Sequence, residues 1–470
     1  MFPRLTVPVL LSLLLGCPST QPDPDPDPTP EPTPAPWQPP PAAACGMEPY
    51  ELIEPGAVEV LALEEAPDWT IPGGTVDFVL AGGGVDLPAN ASHDVASWRI
   101  RYTTQDRGQP AQATALVALP AGDGADAETS WPVLVVEHGF TGITPACSAS
   151  EDAGWPLLSA FFASRGYAVV APDYLGLVGV GDLEGTPPHG ALVMEQTAIA
   201  TWDAVRALRS LVEGPLAFDL PGGLDDGVLL WGASQGGHAV LASARWQPWM
   251  AEEETLLGVV SAVPPLDLTG AVRDAMTELG GGTALALQAL VSMQRWYGQP
   301  ADLRELLTDE APGWYATQVE DWLEQTDTCG GNLDEGPDTL EDIFQPDALA
   351  GLQGLEPEAA QPFTCYLEEN SLPTTSVPPR ADAPTLFVFA ELDDVVLPET
   401  QLDDVQDLCD ADAPIEVFTC AGADHVQGPL WSLPEQLAWM EARVAGEPLG
   451  GADPCADLTP LTCSGTPEGR

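Results

Sequence analysis

Trp231-Gly232-Ala233-Ser234-Gln235-Gly236-Gly237 is the stretch of this chain that decides how the rest is read. It has the form G-x-S-x-G, in which a strand turns sharply into a helix and leaves a serine hydroxyl exposed on a strained backbone. Gly232 and Gly236 flank the serine because a Cβ at either place would strike the turn or the elements beside it. In a chain with 46 glycines the pattern alone is weak. Its surroundings strengthen it: Gly227 to Trp231 is a short apolar run of buried-strand type, and His238 to Ala244 has helix-forming composition.

Working outward, strands and helices alternate. Trp98–Tyr102 and Gln112–Leu119 read as strands joined through Asp106-Arg107-Gly108, an antiparallel entry to a sheet. Trp131–Glu137, Tyr167–Ala171, Leu257–Val263, Thr385–Ala390 and Ile415–Thr419 read as further strands, with helices at Leu157–Ser164 and Glu195–Leu211. Continuous apolar strands alternating with helices predict an α/β fold, a mostly parallel central sheet covered by helices on both faces. From about 268 to 380 the strand pattern stops, and acidic, proline-punctuated helical segments predict a helical cap insertion. Within it, Ala284 to Met293 is almost wholly apolar, with Trp296, Tyr297, Trp314, Tyr315 and Trp322 following. That run reads either as the lining of an acyl pocket or lid, or as a helix packed on the sheet.

An elbow serine needs a base, and the base needs an acid to orient it. The chain order that goes with this elbow is Ser, then Asp or Glu, then His. Of five histidines, His93, His138 and His189 precede the serine, and His238 lies on the serine's own helix. His425, after the Ile415 strand, is left as the candidate base. The candidate acid follows the Thr385 strand in Glu391-Leu392-Asp393-Asp394; Asp393 is the choice, with Asp394 and Glu391 as alternatives. Backbone N–H groups for an oxyanion are expected from Gln235 and from the His138-Gly139-Phe140-Thr141-Gly142 loop, with Phe140 preferred over Thr141. No H-E-x-x-H, phosphate loop or dinucleotide fingerprint occurs, so the reading needs neither cofactor nor metal.

Composition narrows the partners. The 470 residues carry 72 acids against 14 bases, a net charge of −58, and every base is arginine. Such a surface repels nucleic acid, anionic headgroups and anionic substrates and favours neutral or cationic ones. Arg4 and the apolar Leu5–Leu15 form a secretory signal too short to span a bilayer. Leu14-Leu15-Gly16-Cys17 is similar to a bacterial lipobox, which predicts residues 1–17 as a lipoprotein-type signal peptide with Cys17 lipidated; the alternative is a plain signal peptide. Residues 18–44 are proline-rich and acidic and are expected to form an extended tether reaching roughly 70 Å at about 3.1 Å per residue. A hydrolase domain over 45–450 and a cysteine-containing tail over 451–470 complete the expected organisation. The chain has nine cysteines; without Cys17 eight remain, which fits four disulfides in an oxidising compartment, buried free thiols being the other reading. Proximity in sequence favours Cys409–Cys420, Cys455–Cys463 and Cys329–Cys365, leaving Cys45–Cys147.

These segments together resemble the α/β-hydrolase superfamily and, within it, the secretory lipase family. The resemblance rests on Tyr102 to Pro110, His138 to Gly142 with Cys147, Gly166 to Leu177, Pro188-His189 and Ser234 to Ala239, spread over roughly residues 95 to 430. It implies carboxylic ester hydrolysis through an acyl-enzyme, on a neutral ester or lipid. Two departures stand out: Val178 to Pro187 reads as an insertion, and Gly190 stands where the pattern has tyrosine. The expectation is an extracytoplasmic, membrane-anchored serine esterase or lipase. A serine peptidase on the same fold, or an inactive surface binding module, is the alternative.

Overall fold

Strand burial follows strand neighbourhood. Val60–Glu65 (β1), Asp94–Asp106 (β2) and Gln109–Ala121 (β3) form an antiparallel flank, and exposure alternates along β2 as expected of a sheet with one wetter face. Ser130–Glu137 (β4), Ala168–Pro172 (β5), Gly223–Ala233 (β6), Thr255–Ala262 (β7), Thr385–Ala390 (β8) and Ile415–Cys420 (β9) pair in parallel. The nine-stranded order is β1-β2-β3-β5-β4-β6-β7-β8-β9. The interior strands β4 and β6 sit between parallel partners and are buried without alternation, which is why they read as plain apolar runs. The strands named from sequence are all present, most of them longer; β1 had no clear signal.

The computed structural model describes residues 37–42, 44–82, 85, 91–122, 129–152, 154–181, 186–213, 223–298, 302–308, 329, 339–380, 382–411, 413–450, 455 and 458–467. The fold is that of the unit Gln38–Arg470; of the other unit, Met1–Trp37, only Trp37 is described. The signal peptide, Cys17 and most of the tether therefore lie outside the described residues. No described helix is long and apolar enough to cross a membrane.

Helices cover both faces of the sheet. Gly73–Gly82 (α1), Gly154–Ala163 (α2) and the late helix Leu433–Val444 share one core with Leu134, Val136, Leu229, Trp231, Val260 and Val388. Met194–Glu213 (α3) and Gln235–Met250 (α4) pack together on the other face, where the Trp202 indole donates to the Ser243 carbonyl at 2.8 Å. Between β7 and β8 the chain builds the expected cap from Leu268–Ala275 (α5), Gly281–Tyr297 (α6), Pro346–Leu352 (α7) and Phe363–Asn370 (α8). It has its own apolar core, with Leu287, Leu290, Val291, Met293, Phe344 and Tyr366 fully buried. The apolar run Ala284–Met293 is thus mainly a packed helix, with a second face described below. Trp314, Tyr315 and Trp322 lie outside the described residues.

Four disulfides form, and none is a pair favoured by sequence proximity: they join Cys45–Cys365, Cys147–Cys329, Cys409–Cys455 and Cys420–Cys463. Geometry explains the correction. Cys409 ends the helix that precedes β9 and Cys420 ends β9 itself, so the length of a strand, roughly 3.3 Å per residue, separates them. A disulfide needs Cα atoms about 4–7 Å apart. The C-terminal chain returns beside β9 instead, bonding Leu461 N–H to Thr419 O and Ala421 N–H to Leu461 O, which places Cys463 near Cys420.

Candidate active site

The elbow is built as its glycines require. A Cβ on Gly232 would run into the Gly236 carbonyl, and one on Gly236 would run into the Glu137 carbonyl at the end of β4. Ser234 sits at φ 58°, ψ −122°, a conformation that costs an L-residue about 1–3 kcal/mol. The surroundings hold it there. Ser234 N–H donates to Ala262 O at the end of β7 (2.9 Å), and Ser234 O accepts from His238 N–H (3.1 Å) as α4 begins.

The strand ends then deliver the partners. His425 follows β9, and its Nε2 lies 2.9 Å from Ser234 Oγ. Its Nδ1 meets Asp393 Oδ1 at 2.9 Å and Oδ2 at 2.8 Å. Asp393 follows β8, is buried, and accepts Val395 N–H (3.0 Å) and Val396 N–H (2.9 Å) on Oδ1, which fixes the carboxylate plane. The neighbouring acids have other positions. Glu391 accepts Gly422 N–H at 2.7 Å and pins the loop that carries His425, while Asp394 is exposed. The residue after His138-Gly139, Phe140, lines a cavity together with Ser234 and Gln235. Gln235 opens α4, so its N–H is among those a helix start leaves without an intrahelical partner.

The other four histidines are structural. Burial lowers the basicity of each, His189 to about 3 and His238 to about 4. A backbone carbonyl meets the ring of three of them: Gly139 O at His138 Nδ1 (2.6 Å), Leu175 O at His189 Nδ1 (3.2 Å) and Asn370 O at His238 Nε2 (2.7 Å). Gly190 is glycine for want of space. A Cβ there would press on Gln196 Oε1, which already accepts Gly190 N–H at 2.6 Å, so tyrosine has no room.

The cavity beside Ser234 holds about 100 Å³. The cap supplies most of its wall, through Leu268 and Val272 of α5, Leu285, Ala286 and Ala289 of α6, and Leu367 of α8. This is the second face of the apolar α6 run, and among the described residues no charged side chain lines the cavity. A larger cavity of about 370 Å³ lies elsewhere, against the starts of β8 and β9 at Thr385 and Ile415, away from the strand ends that hold Ser234. Among the described residues no group of three or more His, Cys, Asp or Glu side chains could hold a metal ion.

Sequence reasoning missed the supports beneath the site. Asp173, which falls within the Gly166–Leu177 stretch, is buried and accepts Thr114 Oγ1 (2.7 Å), Ser148 Oγ (2.8 Å), Ser150 N–H (2.7 Å) and Ser150 Oγ (3.0 Å). Tyr174 packs its ring 4.1 Å from that of His138 and donates to His138 O at 2.8 Å. A polar residue beside an apolar strand was the one available signal.

Fold and site geometry together define an α/β-hydrolase. Residues 156–326 match the model of the secretory lipase family, to which the chain is similar. The esterase LipA of Xanthomonas oryzae, which degrades rice cell walls, is 22% identical and superposes with a TM-score of 0.65 over 82% of this chain and 98% of its own. A putative hydrolase of Legionella pneumophila is 20% identical, with a TM-score of 0.64 over 84% of this chain and 99% of its own. Candida antarctica lipase A in its closed state is 15% identical, with a TM-score of 0.58 over 86% of this chain and 85% of its own. At these identities the solved structures share the fold. No curated protein matches. The match and the fold are those of a carboxylic ester hydrolase of the lipase and esterase kind, and four disulfides fit an extracellular protein.

Proposed function

We propose that this chain cleaves neutral carboxylic esters through an acyl-enzyme on Ser234. Ser234 Oγ attacks the ester carbonyl while His425 Nε2 takes its proton, and Asp393 holds the proton on His425 Nδ1 and stabilises the imidazolium. The N–H groups of Gln235 and Phe140 receive the oxyanion; one such donor is typically worth about 10²–10³ in rate. His425 then protonates the departing alcohol, and water, deprotonated in turn by His425, releases the acid. The observation that carries this reading is the unbroken chain Ser234–His425–Asp393, at 2.9 and 2.8 Å, opening onto a cavity walled by apolar cap side chains.

Several features support a neutral substrate. Leu392, Val395, Leu397 and Val426 are exposed on the two loops that carry Asp393 and His425. The chain's charge of −58 opposes anions. Two of the structural neighbours are called an esterase and a lipase. We place the enzyme outside the cytoplasm on a bacterial membrane, with Cys17 lipidated after removal of the signal peptide and residues 18–44 as tether.

The test compares wild type and Ser234→Ala with a fluorophosphonate probe, p-nitrophenyl esters and amino-acyl anilides. Labelling and ester turnover lost together in the variant are expected. Turnover of anilides alone would refute the esterase reading, and no labelling of wild type would refute an active serine. Labelling with a fatty-acid probe that persists in Cys17→Ser would refute the anchor.

A further inference from the structure

Glu137 ends β4, and the three residues after it form the loop to which the oxyanion role has just been given. Its backbone carbonyl lies against Gly236 in the first turn of α4, so it touches both halves of the oxyanion site. Its carboxyl is fully buried. Such a group is tolerated only with partners for every proton and lone pair, and here the partners are wrong for a carboxylate.

Thr201 on α3 shows why. Its Oγ1 lies within hydrogen-bond distance of Glu137 Oε1 and 2.8 Å from Thr197 O. A hydroxyl has one proton and cannot donate to both acceptors. Both contacts are satisfied when Glu137 carries a proton and donates to Thr201, which then donates to Thr197 O. Glu137 Oε2 is buried beside the Tyr174 hydroxyl, and among the described residues no free donor is left for it, a costly state for an anion and a modest one for the C=O of a neutral acid. The hydroxyl nearest on the β5 side, that of Tyr174, spends its proton on His138 O. Tyr102 of β2 donates its own to Ala200 O at 2.9 Å.

We propose that Glu137 is a positioning residue that works as a neutral acid: its proton, donated to Thr201, ties the end of β4 to α3 behind the oxyanion loop, and its loss at alkaline pH disarranges that loop and lowers kcat. The inference rests on the serine esterase reading above.

Burial pushes the Glu137 carboxyl up to about 8. The groups facing it are Thr201 from α3, Tyr174 from the loop after β5, Tyr102 from β2 and His138, next in the chain; Asp173 and Asp203 share Tyr102 as a neighbour. Burial and the nearby acids hold both tyrosines well above their ordinary range, and burial holds His138 below its own. Of these groups, Glu137 is the one that changes charge as the medium turns mildly alkaline.

The experiment measures kcat and KM for a soluble p-nitrophenyl ester from pH 6 to 10 in the full-length wild type and Glu137→Gln, with Ser234→Ala subtracted as background. One pH unit above the midpoint about nine-tenths of molecules are ionised, so wild-type kcat is expected to fall roughly tenfold with KM nearly constant. In Glu137→Gln, a neutral isostere, the ratio of kcat at pH 9 to that at pH 7 is expected to stay near one. A limb present equally in both proteins, or absent from wild type, overturns the proposal. Infrared titration follows the buried acid's C=O stretch directly and needs no turnover. A protonated-carboxyl band that bleaches near pH 8 in wild type and is missing from Glu137→Gln is expected, and a band absent at pH 6 overturns the neutral state. Loss of fluorophosphonate labelling at Ser234 would instead count against the esterase reading, so the two failures are distinct.

Discussion

Replacing Ala286 by leucine tests whether the cavity beside Ser234 receives the acyl chain. Ala286 lies on the α6 face that looks across the cavity toward Ser234 and Gln235, and its neighbour Leu287 is buried in the cap core. Leucine adds three carbons beyond Cβ to a space of about 100 Å³, displacing the outer carbons of a bound chain. Each displaced methylene forfeits about 0.8 kcal/mol of burial, so three cost about 2.4 kcal/mol. At 1.36 kcal/mol per decade that is a roughly 60-fold loss in kcat/KM for a hexanoyl ester. An acetyl ester does not reach the filled region and should keep its kcat/KM within about twofold, by the same reckoning of buried methylenes. The assay is the ratio of kcat/KM for p-nitrophenyl hexanoate and acetate in wild type and Ala286→Leu, with the urea midpoint measured to verify that the extra bulk entered space. An unchanged ratio, or equal losses on both esters, would refute the assignment of this cavity to the acyl group.

Asp393→Asn should lower kcat about 10⁴-fold with KM little changed, measured by steady-state kinetics. The Asn carbonyl would keep the Val395 and Val396 N–H groups, turning its NH₂ toward His425 Nδ1 and driving the imidazole proton onto Nε2, where the serine proton must go. Asp173→Ala strips four hydrogen bonds from the shelf behind the oxyanion loop and should cost about 3 kcal/mol in urea unfolding; a loss under 1 kcal/mol would contradict the shelf. Glu195, buried and accepting the Tyr50 hydroxyl at 2.7 Å, is pushed up to about 8 by burial against an ordinary 4.5. It is neutral when folded and ionised when unfolded, so its stabilisation is complete below about pH 4.5 and is lost as pH rises to about 8. Wild type should therefore lose stability between pH 5 and 8 more steeply than Glu195→Gln, and parallel urea midpoints would contradict this.

What the sequence made legible is what local rules determine. Apolar runs such as Val133–Val136 and Val228–Trp231 are buried on both faces because parallel neighbours flank them, and that burial writes itself into composition. The elbow is equally local, since its glycines are demanded by contacts within a few residues. His425 and Asp393 were reachable because an α/β sheet presents its strand ends on one side, so chain order stands in for space. Disulfide partners have no such proxy: Cys45 and Cys365 are 320 residues apart and meet only once the cap has folded. Buried acids are invisible for a related reason. Nothing in Val135-Val136-Glu137 distinguishes a strand-end glutamate in water from one sealed under Thr201 and Tyr174.

Two groups divide the protons of this site. Serine attack draws on His425, whose Nε2 meets Ser234 Oγ, while burial pushes the other four histidines toward the neutral state. No tyrosine near the oxyanion loop titrates in the mildly alkaline range, because burial drives Tyr102 and Tyr174 well above it. Beside the oxyanion loop that leaves Glu137, whereas Glu195, also pushed up to about 8, packs against Tyr50 and acts through stability. One group carries the reaction's proton and touches the serine; the other never meets the substrate and acts only through the backbone it holds. Substitution of His425 should therefore abolish turnover at every pH, whereas substitution of Glu137 should change the shape of the curve.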